Sequence, residues 1–263
     1  MLKRELKVNL KSFIIWNAIL MGVFLIAYLM YPSIIASDNV KMMDEMLEMF
    51  PPEMQKAFNF DISSMDSAYG WLKSEGFVFV LLIIGCYAGI LGSNILLKEE
   101  NDKTIEYLNA LPIRRRDIVL NKVLTGLIYI FVMVLLLTVF NYIGLSLSGD
   151  FDKKQFLLLS ITPILPALVL YFICMFLSTF THKTKKMLGV SLGIILISYF
   201  LQMLSTIGDN VEFLKYTSVF TLADIRNVIV DVSINPIMVI ITLLLSGIFF
   251  VLTLVRYDKK ELV

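Results

Sequence analysis

Charged residues are missing from six long stretches of this chain of 263 residues. The stretches cover residues 12–37, 76–97, 123–149, 155–182, 187–208 and 232–255, and each is 22 to 28 residues long. Only 17% of all residues are charged and 58% are hydrophobic, against about 25% and about 45–50% in an average soluble domain. Since roughly 20 apolar residues let a helix cross the hydrocarbon core of a bilayer, the stretches exclude a soluble enzyme and a nucleic-acid-binding protein.

The six stretches predict an all-α, polytopic membrane protein with six transmembrane helices in a single domain over residues 1–263. We number the predicted helices span 1 to span 6, and they cover 13–35, 76–97, 118–147, 157–180, 187–207 and 236–255. Residues 36–75 and 208–233 are predicted to form external loops. A cleaved signal peptide is an alternative for the first stretch. The stretch is longer than the 7–15 apolar residues of such a peptide, so we predict a permanent span.

Cysteine and histidine are also scarce, with only Cys86, Cys174 and His182 in the whole chain. Both cysteines lie in predicted spans, which excludes a disulfide framework in the loops. A single histidine without clustered cysteines argues against a zinc or haem site. The chain contains no Walker-type glycine-rich loop, so it shows no nucleotide site of its own. We therefore expect no catalytic, cofactor-binding or metal-binding residues in this chain.

One string, Gly189–Gly193, matches the GxSxG pattern of serine hydrolases. That pattern requires a turn from a strand into a helix, whereas this string lies inside predicted span 5. The same two glycines, four residues apart, are typical of close helix packing in membranes. We favour packing, and an intramembrane protease remains the third alternative for function.

Basic residues indicate the orientation of the predicted spans. Four segments, 1–11, 98–122, 183–186 and 256–263, hold 16 of the 23 basic and 8 of the 22 acidic residues. The other connections hold 7 basic and 14 acidic residues. Because lysine and arginine are enriched in cytoplasmic loops, both termini are predicted to be cytoplasmic.

Helix periodicity and helix-breaking residues predict further features of the spans. Gly85, Gly89 and Gly92 recur on one side of span 2 and predict close contact with a neighbouring helix. Pro163 and Pro166 predict a kink or a break in span 4. Asn235-Pro236 is a typical helix start, with asparagine as the cap and proline in the first turn.

The N-terminal segment has an amphipathic pattern of its own. Leu2, Leu6, Leu10 and Phe13 recur every three or four residues among several lysines, which is typical of a helix that lies in the membrane interface. The alternative is a basic helical flank that only extends span 1.

The connection between spans 2 and 3 predicts a short helix from Lys103 to Leu111, which ends before Pro112. Ile105, Leu108 and Leu111 lie on one side of this helix. From the residues alone, two interpretations remain open. The helix docks into a groove on a soluble partner, or it rests on the membrane while the following arginines bind lipid headgroups.

The loop over 36–75 is rich in methionine, which adapts to varied apolar partners. One interpretation is a lid or contact surface for a hydrophobic or amphipathic cargo. The alternative is an apolar face that packs on the outer leaflet or on the bundle. The candidate cargo contacts are Met42, Met43, Met46 and Phe50.

Taken together, these features resemble the type-2 ABC transporter permeases, which are the membrane subunits of many bacterial exporters. The run from Glu99 to Arg114 is similar to the stretch that forms the family's coupling helix, although Lys103 stands where the family usually has glycine. The N-terminal segment resembles the family's elbow helix, and Leu214–Asp224 resembles the region before its last span. The six-span layout covers the whole chain.

The resemblance implies a permease subunit of an ATP-driven exporter in the bacterial cell membrane, not an enzyme. ATP and magnesium would be bound by a separate ATP-binding cassette ATPase subunit. A second permease copy, identical or paralogous, would complete the pore in the lipid bilayer, and no nucleic acid would be involved. The implied contacts of the coupling helix with the ATPase are Thr104, Ile105, Tyr107, Leu108, Leu111 and Arg114.

The cargo is expected to be hydrophobic or amphipathic, because the predicted spans contain no charge, and peptide toxins or antimicrobial peptides are the first candidates. The alternative function is a non-transporting membrane sensor or assembly protein that recruits a soluble partner.

Overall fold

The computed structural model of the chain describes residues 1–34, 67–105, 113–207, 209–223, 225, 228–229 and 231–260. Within these ranges all regular structure is helical, and six helices are long and apolar enough to cross a membrane. They are Leu2–Tyr31, Ala68–Ile95, Arg115–Ser148, Lys153–Ser178, Thr184–Ser205 and Pro236–Asp258, and they keep the names span 1 to span 6. The prediction of an all-α, six-span membrane protein is confirmed.

Span 1 belongs to one unbroken helix, Leu2–Ile34, of 33 residues. The predicted elbow over Leu2–Phe13 is therefore not a separate helix, and the structure shows the alternative, a basic extension of span 1. The predicted apolar face also differs from the buried face, since Leu10 is 45% exposed. The buried side chains of this helix recur once per turn and are Glu5, Asn9, Phe13, Asn17, Leu20 and Phe24.

Polar residues can occupy the buried face of span 1 because their donor groups or charges are paired. The side-chain amides of Asn9 and Asn17 donate to backbone carbonyls one turn earlier, each at 2.9 Å. Glu5 faces a buried lysine from span 3, as described below. Apolar periodicity predicted the wrong face here, since it assumes that polar side chains avoid the interior.

Span 2 begins at Ala68, well before the predicted residue 76. The side chain of Ser67 caps the helix by accepting a backbone N–H at 2.9 Å. The charges of Lys73 and Glu75 led to the later predicted start. The ammonium of Lys73 lies 4.9 Å from the centre of an aromatic ring in the preceding turn, and a carboxylate oxygen of Glu75 accepts from the hydroxyl of Ser74 at 2.6 Å. The predicted external loop is therefore already helical after Ser67, and its residues 36–66 lie outside the described residues.

The predicted helix break and helix start occur where the prolines place them. Span 4 is divided at Pro163 into Lys153–Ile161 and Ile164–Ser178. Proline has no N–H with which to continue the helical hydrogen bonds. Span 6 starts at Pro236, and the side chain of Asn235 caps it by accepting an N–H at 3.0 Å.

Spans 2 and 4 form the centre of the bundle. In each of them 61% of the most apolar 18-residue segment is buried. The corresponding fractions are 22%, 22% and 17% in spans 1, 5 and 6. The outer spans therefore expose most of the apolar surface, which in a membrane is expected to face lipid or another polypeptide.

Glycines allow the central spans to approach closely. A β-carbon added to Gly92 of span 2 would overlap the backbone oxygen of Tyr171 in span 4. A β-carbon on Gly126 of span 3 would overlap the ring of the same tyrosine. The other predicted packing glycines of span 2, Gly85 and Gly89, face Phe220 and Ile195. The predicted packing face of span 2 is confirmed.

Gly189 and Gly193 of span 5 do not pack against another helix of the described chain. No atom outside their own stretch of helix lies within 4 Å of a β-carbon placed on either glycine. Ser191 between them is fully buried beside Cys174. The structure does not bring Ser191 and His182 together, since the imidazole contacts a carboxylate at the end of the bundle.

The predicted external loop over 208–233 also contains regular structure. Residues Asp209–Thr217 and Val219–Ala223 form short 3₁₀ helices. Between them, the hydroxyl of Ser218 donates to the backbone oxygen of Ser198 in span 5 at 2.7 Å. Phe220 is only 2% exposed and packs between spans 4 and 5. The segment therefore folds back onto the bundle.

Candidate coupling site

The four segments that were predicted to be cytoplasmic meet at one end of the bundle. Six charged or titratable side chains from these segments or directly beside them form ion pairs there in two groups of three, and we call the six together the ion cluster. Its members are Glu5, Glu99, Glu100, Lys122, His182 and Lys260. These pairs show that the N-terminal and C-terminal residues of the described chain lie at the same side of the bundle. The basic connections between spans 2 and 3 and between spans 4 and 5 lie at that side too. Which compartment this end faces stays a prediction.

Lys122 is the most buried charged residue of the ion cluster. Its side chain is fully buried, and its ammonium lies 2.7 and 2.8 Å from the two carboxylate oxygens of Glu99. The ammonium also lies 3.5 Å from a carboxylate oxygen of Glu5 and donates to the backbone oxygen of Ile95 at 2.5 Å. Spans 1, 2 and 3 are thereby joined through one side chain.

Burial of a lysine is tolerated only when its charge and its donors are compensated. An ammonium group has three donors, and Lys122 has acceptors on three different residues. Removing a charge from water costs several kcal/mol per ion, and close pairing with hydrogen bonds must offset that cost. Lys122 is therefore a fixed point of the bundle, because its removal would leave the buried carboxylates of Glu5 and Glu99 without their cation.

Glu100 pairs with different partners from its neighbour Glu99. One carboxylate oxygen lies 2.6 Å from the ammonium of Lys260, and the other lies 2.6 Å from Nδ1 of His182. Lys260 also donates to the backbone oxygen of Thr181 at 2.9 Å. Successive residues of a helix point about 100° apart, so the two carboxylates face different partners from the same turn.

Arg115 holds the end of span 6 against the start of span 3. Its guanidinium donates to the backbone oxygens of Asp258 and Lys260 at 3.1 and 2.8 Å. The last carbonyls of a helix have no partner within the helix, and a cation near that end is favourable. The neighbouring Arg116 forms a 3.1 Å pair with Asp258, but its side chain is 73% exposed.

The predicted coupling helix leaves the bundle directly from the two carboxylates of span 2. Glu99 and Glu100 lie in the short helix Lys98–Asn101, and the N–H of Thr104 donates to the backbone oxygen of Glu99 at 2.8 Å. Ile105 is 3% exposed and packs against Ile118 of span 3. The first residues of the coupling segment are therefore fixed to the ion cluster through their backbone.

Lys103 turns the chain at this point with a φ of 55°, so the helix predicted from Lys103 to Leu111 does not begin at Lys103. This left-handed conformation is free of steric penalty only in glycine and costs other residues roughly 1–2 kcal/mol. The type-2 permeases that the chain resembles usually have glycine at this position, so the turn explains why that residue type is favoured there.

The structure describes only part of the predicted site. Of the predicted contacts with the ATPase, Thr104 is half-buried, Ile105 is buried, and Arg114 is exposed just before span 3. The remaining predicted contacts lie outside the described residues, as do the candidate cargo contacts. The former are Tyr107, Leu108 and Leu111, and the latter are Met42, Met43, Met46 and Phe50.

The pairing of these side chains in the ion cluster was not predicted from the sequence. Two signals in the sequence point to it. Glu5 is the one acid among the basic residues at the start of the chain, and Glu99-Glu100 places two acids at the end of an uncharged span. Acids in such positions oppose the basic bias of the predicted cytoplasmic side, which suggests specific partners.

The whole length of the chain is similar to one family of membrane transport proteins. A family described as "ABC-2 family transporter protein" matches residues 1–262. The chain belongs to this family. No curated protein and no solved structure gives a significant match. The chain is thus a permease component of an ABC transporter, a multi-pass membrane protein that is not itself the catalytic part. We call it the permease below.

Proposed function

We propose that the permease is the membrane half of an ATP-driven exporter in the bacterial cell membrane. A separate ATP-binding cassette ATPase binds ATP and magnesium and docks on the segment Thr104–Leu111. Both termini and the ion cluster face the cytoplasm, where such a subunit is found. The observation that carries this proposal is the attachment of the coupling segment to a buried, fully paired ionic junction.

The ion cluster is suited to passing on mechanical force from a docked subunit. A movement of the coupling segment pulls on Glu99 through the hydrogen bond from Thr104, and Glu99 is held by Lys122 of span 3. Because packed interiors and paired charges resist deformation, the spans move together rather than one at a time. Opening and closing of an ATPase dimer would therefore tilt several spans at once.

A second permease copy completes the pore in this proposal. Gly189 and Gly193 leave open space along span 5, and small residues let helices from another chain approach closely in lipid. The cargo is hydrophobic or amphipathic, with peptides as the first class. The methionine-rich segment that contains Met42, Met43, Met46 and Phe50 contributes an adaptable contact on the outer side.

The partner subunits can be identified by co-purification. The tagged permease is co-expressed with the products of its neighbouring genes, extracted in mild detergent, and the mass of the complex is determined. We expect two permeases with two ATP-hydrolysing subunits. A permease that purifies alone, or with a partner that lacks a nucleotide-binding loop, would contradict the exporter and favour a sensor or assembly protein.

Leu108→Asp is expected to weaken binding of the ATPase subunit more than tenfold. Placing a carboxylate in an apolar contact costs more than about 1.4 kcal/mol, which corresponds to a factor of ten in affinity. Binding is measured by titrating the purified ATPase onto the permease in nanodiscs, and export is measured in the same variant.

Leu108→Met is the matched control, because it keeps the volume and the apolar character, and it should bind normally. Both variants should insert into the membrane in wild-type amounts. Wild-type affinity and export in Leu108→Asp would show that the segment is not the docking element.

A further inference from the structure

An open cavity lies between span 1, the end of span 2 and the start of span 5, and its volume is about 240 Å³. In the described chain, spans 1 and 5 both pack against span 2 but scarcely touch each other, which leaves this space between them. No part of the mechanism proposed above uses the cavity.

The cavity has an apolar end and a charged end. Ile90 and Leu91 line the apolar end and belong to the uncharged stretch 76–97. Lys98, Asn101 and Asp102 line the charged end and follow directly after that stretch. Since charged residues begin where the hydrocarbon core ends, the cavity crosses the boundary between acyl chains and headgroups. Its polarity therefore changes in the same direction as that of a membrane lipid.

The two charges of the cavity are not used up by each other. Lys98 and Asp102 are four residues apart, yet neither forms an ion pair within the described chain. The ammonium of Lys98 donates to the backbone oxygen of Val8 at 3.3 Å, and Asp102 accepts from the amide of Asn101 at 3.4 Å. An ammonium has three donors and a carboxylate has about four acceptor sites, so both keep capacity for a ligand.

A ligand can reach these groups, because they lie at the open end of the cavity. Asn101 and Asp102 are exposed and Lys98 is half-buried. Ser12 of span 1 also lines the cavity and is exposed, so its hydroxyl adds another donor. The charged end thus offers cationic and neutral donors together with one carboxylate.

A phosphoethanolamine headgroup matches this arrangement. Its phosphate can accept from Lys98 and Ser12, and its primary ammonium can donate to Asp102 and to the side-chain oxygen of Asn101. The headgroup has eight non-hydrogen atoms, and the cavity has room for about eight atoms of the size of a water molecule, at about 30 Å³ each. An anionic headgroup would leave Asp102 beside a second negative charge, and a choline headgroup has no N–H to donate.

We propose that this cavity binds one molecule of phosphatidylethanolamine as a resident lipid. The headgroup lies between Lys98 and Asp102, and the acyl chains continue past Ile90 and Leu91 along the exposed apolar surface of spans 1 and 5. The lipid fills the gap between these two spans at the level where the coupling segment begins. The inference goes beyond the proposed function and depends on neither the cargo nor the ATPase.

Native mass spectrometry tests the choice of headgroup. The permease, with any subunits that co-purify, is stripped of lipid in detergent and titrated with phosphatidylethanolamine, phosphatidylglycerol and phosphatidylcholine that carry the same acyl chains. We expect one phosphatidylethanolamine to bind about fivefold or more tightly than either other lipid, which is the effect of roughly one hydrogen bond. The basic residues at this end of the bundle would by themselves favour the anionic lipid. Equal binding, or tighter binding of phosphatidylglycerol, would therefore overturn the proposal.

A soluble headgroup tests whether the ligand is a lipid. Glycerophosphoethanolamine has the same polar groups without acyl chains, so about a hundredfold excess should displace little of the bound phosphatidylethanolamine. Complete displacement would show that the acyl chains do not contribute, and the assignment to a membrane lipid would be wrong.

Two variants test the charges of the cavity. Asp102→Asn should reduce the preference for phosphatidylethanolamine over phosphatidylglycerol about fivefold, and Lys98→Gln should weaken the binding of both lipids by about the same factor. Asp117→Asn is the matched control, because Asp117 is an exposed acid of the next span that does not line the cavity. Equal selectivity of Asp102→Asn and Asp117→Asn would contradict the proposal. The comparison of lipids uses wild-type protein, so it stands even if a variant does not fold.

Discussion

Lys122→Met is expected to destabilise the permease by about 3–5 kcal/mol, because it leaves the carboxylates of Glu99 and Glu5 buried without their cation. Methionine keeps most of the length and volume of lysine, so lost packing contributes little. The effect is measured as the loss of folded protein during heating in detergent, followed by size-exclusion chromatography. The same loss should reduce the amount of permease that accumulates in membranes.

Two further variants make this prediction specific to buried charge. Adding Glu99→Gln to Lys122→Met should recover part of the lost stability, since it removes one of the two unpaired carboxylates. Arg116→Met, which breaks an ion pair whose arginine is 73% exposed, should cost about 0–1 kcal/mol. Equal melting of Lys122→Met and Arg116→Met would show that the ion cluster does not hold the bundle together.

Gly92→Ala is expected to destabilise the permease by about 1–3 kcal/mol or more, as in overpacked cores. The usual effect of this substitution inside a helix is the opposite, since alanine is favoured over glycine by about 0.8–1.0 kcal/mol. The sign is reversed because the new methyl group would overlap the backbone oxygen of Tyr171, which cannot turn away as a side chain would. Spans 2 and 4, the two central helices, would have to separate.

Gly22→Ala in span 1 is the matched control. Nothing lies within 4 Å of its β-carbon position, so it should leave the melting temperature unchanged or raise it. Both variants are compared with wild type in the same detergent. If Gly92→Ala also melts at or above the wild-type temperature, spans 2 and 4 do not approach each other as closely as the structure shows.

The spans could be predicted from the sequence because hydrophobicity and length are local properties. An uncharged stretch of 22 or more residues is a span wherever its neighbours lie, and Pro163 and Asn235 act through their own backbone. The start of span 2 was missed for a related reason. Lys73 and Glu75 are charged and so favour a loop by composition, whereas their contacts with a ring one turn earlier and with a neighbouring hydroxyl are known only from the structure.

The ion cluster could not be predicted in the same way, because its partners are distant in sequence. Lys122 meets residues 23 and 117 positions away. No spacing rule relates such positions, and only the folded arrangement of spans 1, 2 and 3 brings them together. The buried face of span 1 includes one of these distant pairs, since Glu5 faces inward and pairs with Lys122.

The neighbouring carboxylates Glu99 and Glu100 also differ in when their partners become available during synthesis. Lys122 follows Glu99 by 23 residues, so this pair can close as soon as spans 2 and 3 have entered the membrane. Lys260 follows Glu100 by 160 residues and is made only after span 6. Until then Glu100 lacks the lysine that it pairs with in the finished bundle. In a chain whose translation stops before span 6, Glu99 therefore already has its lysine partner, whereas Glu100 has only His182.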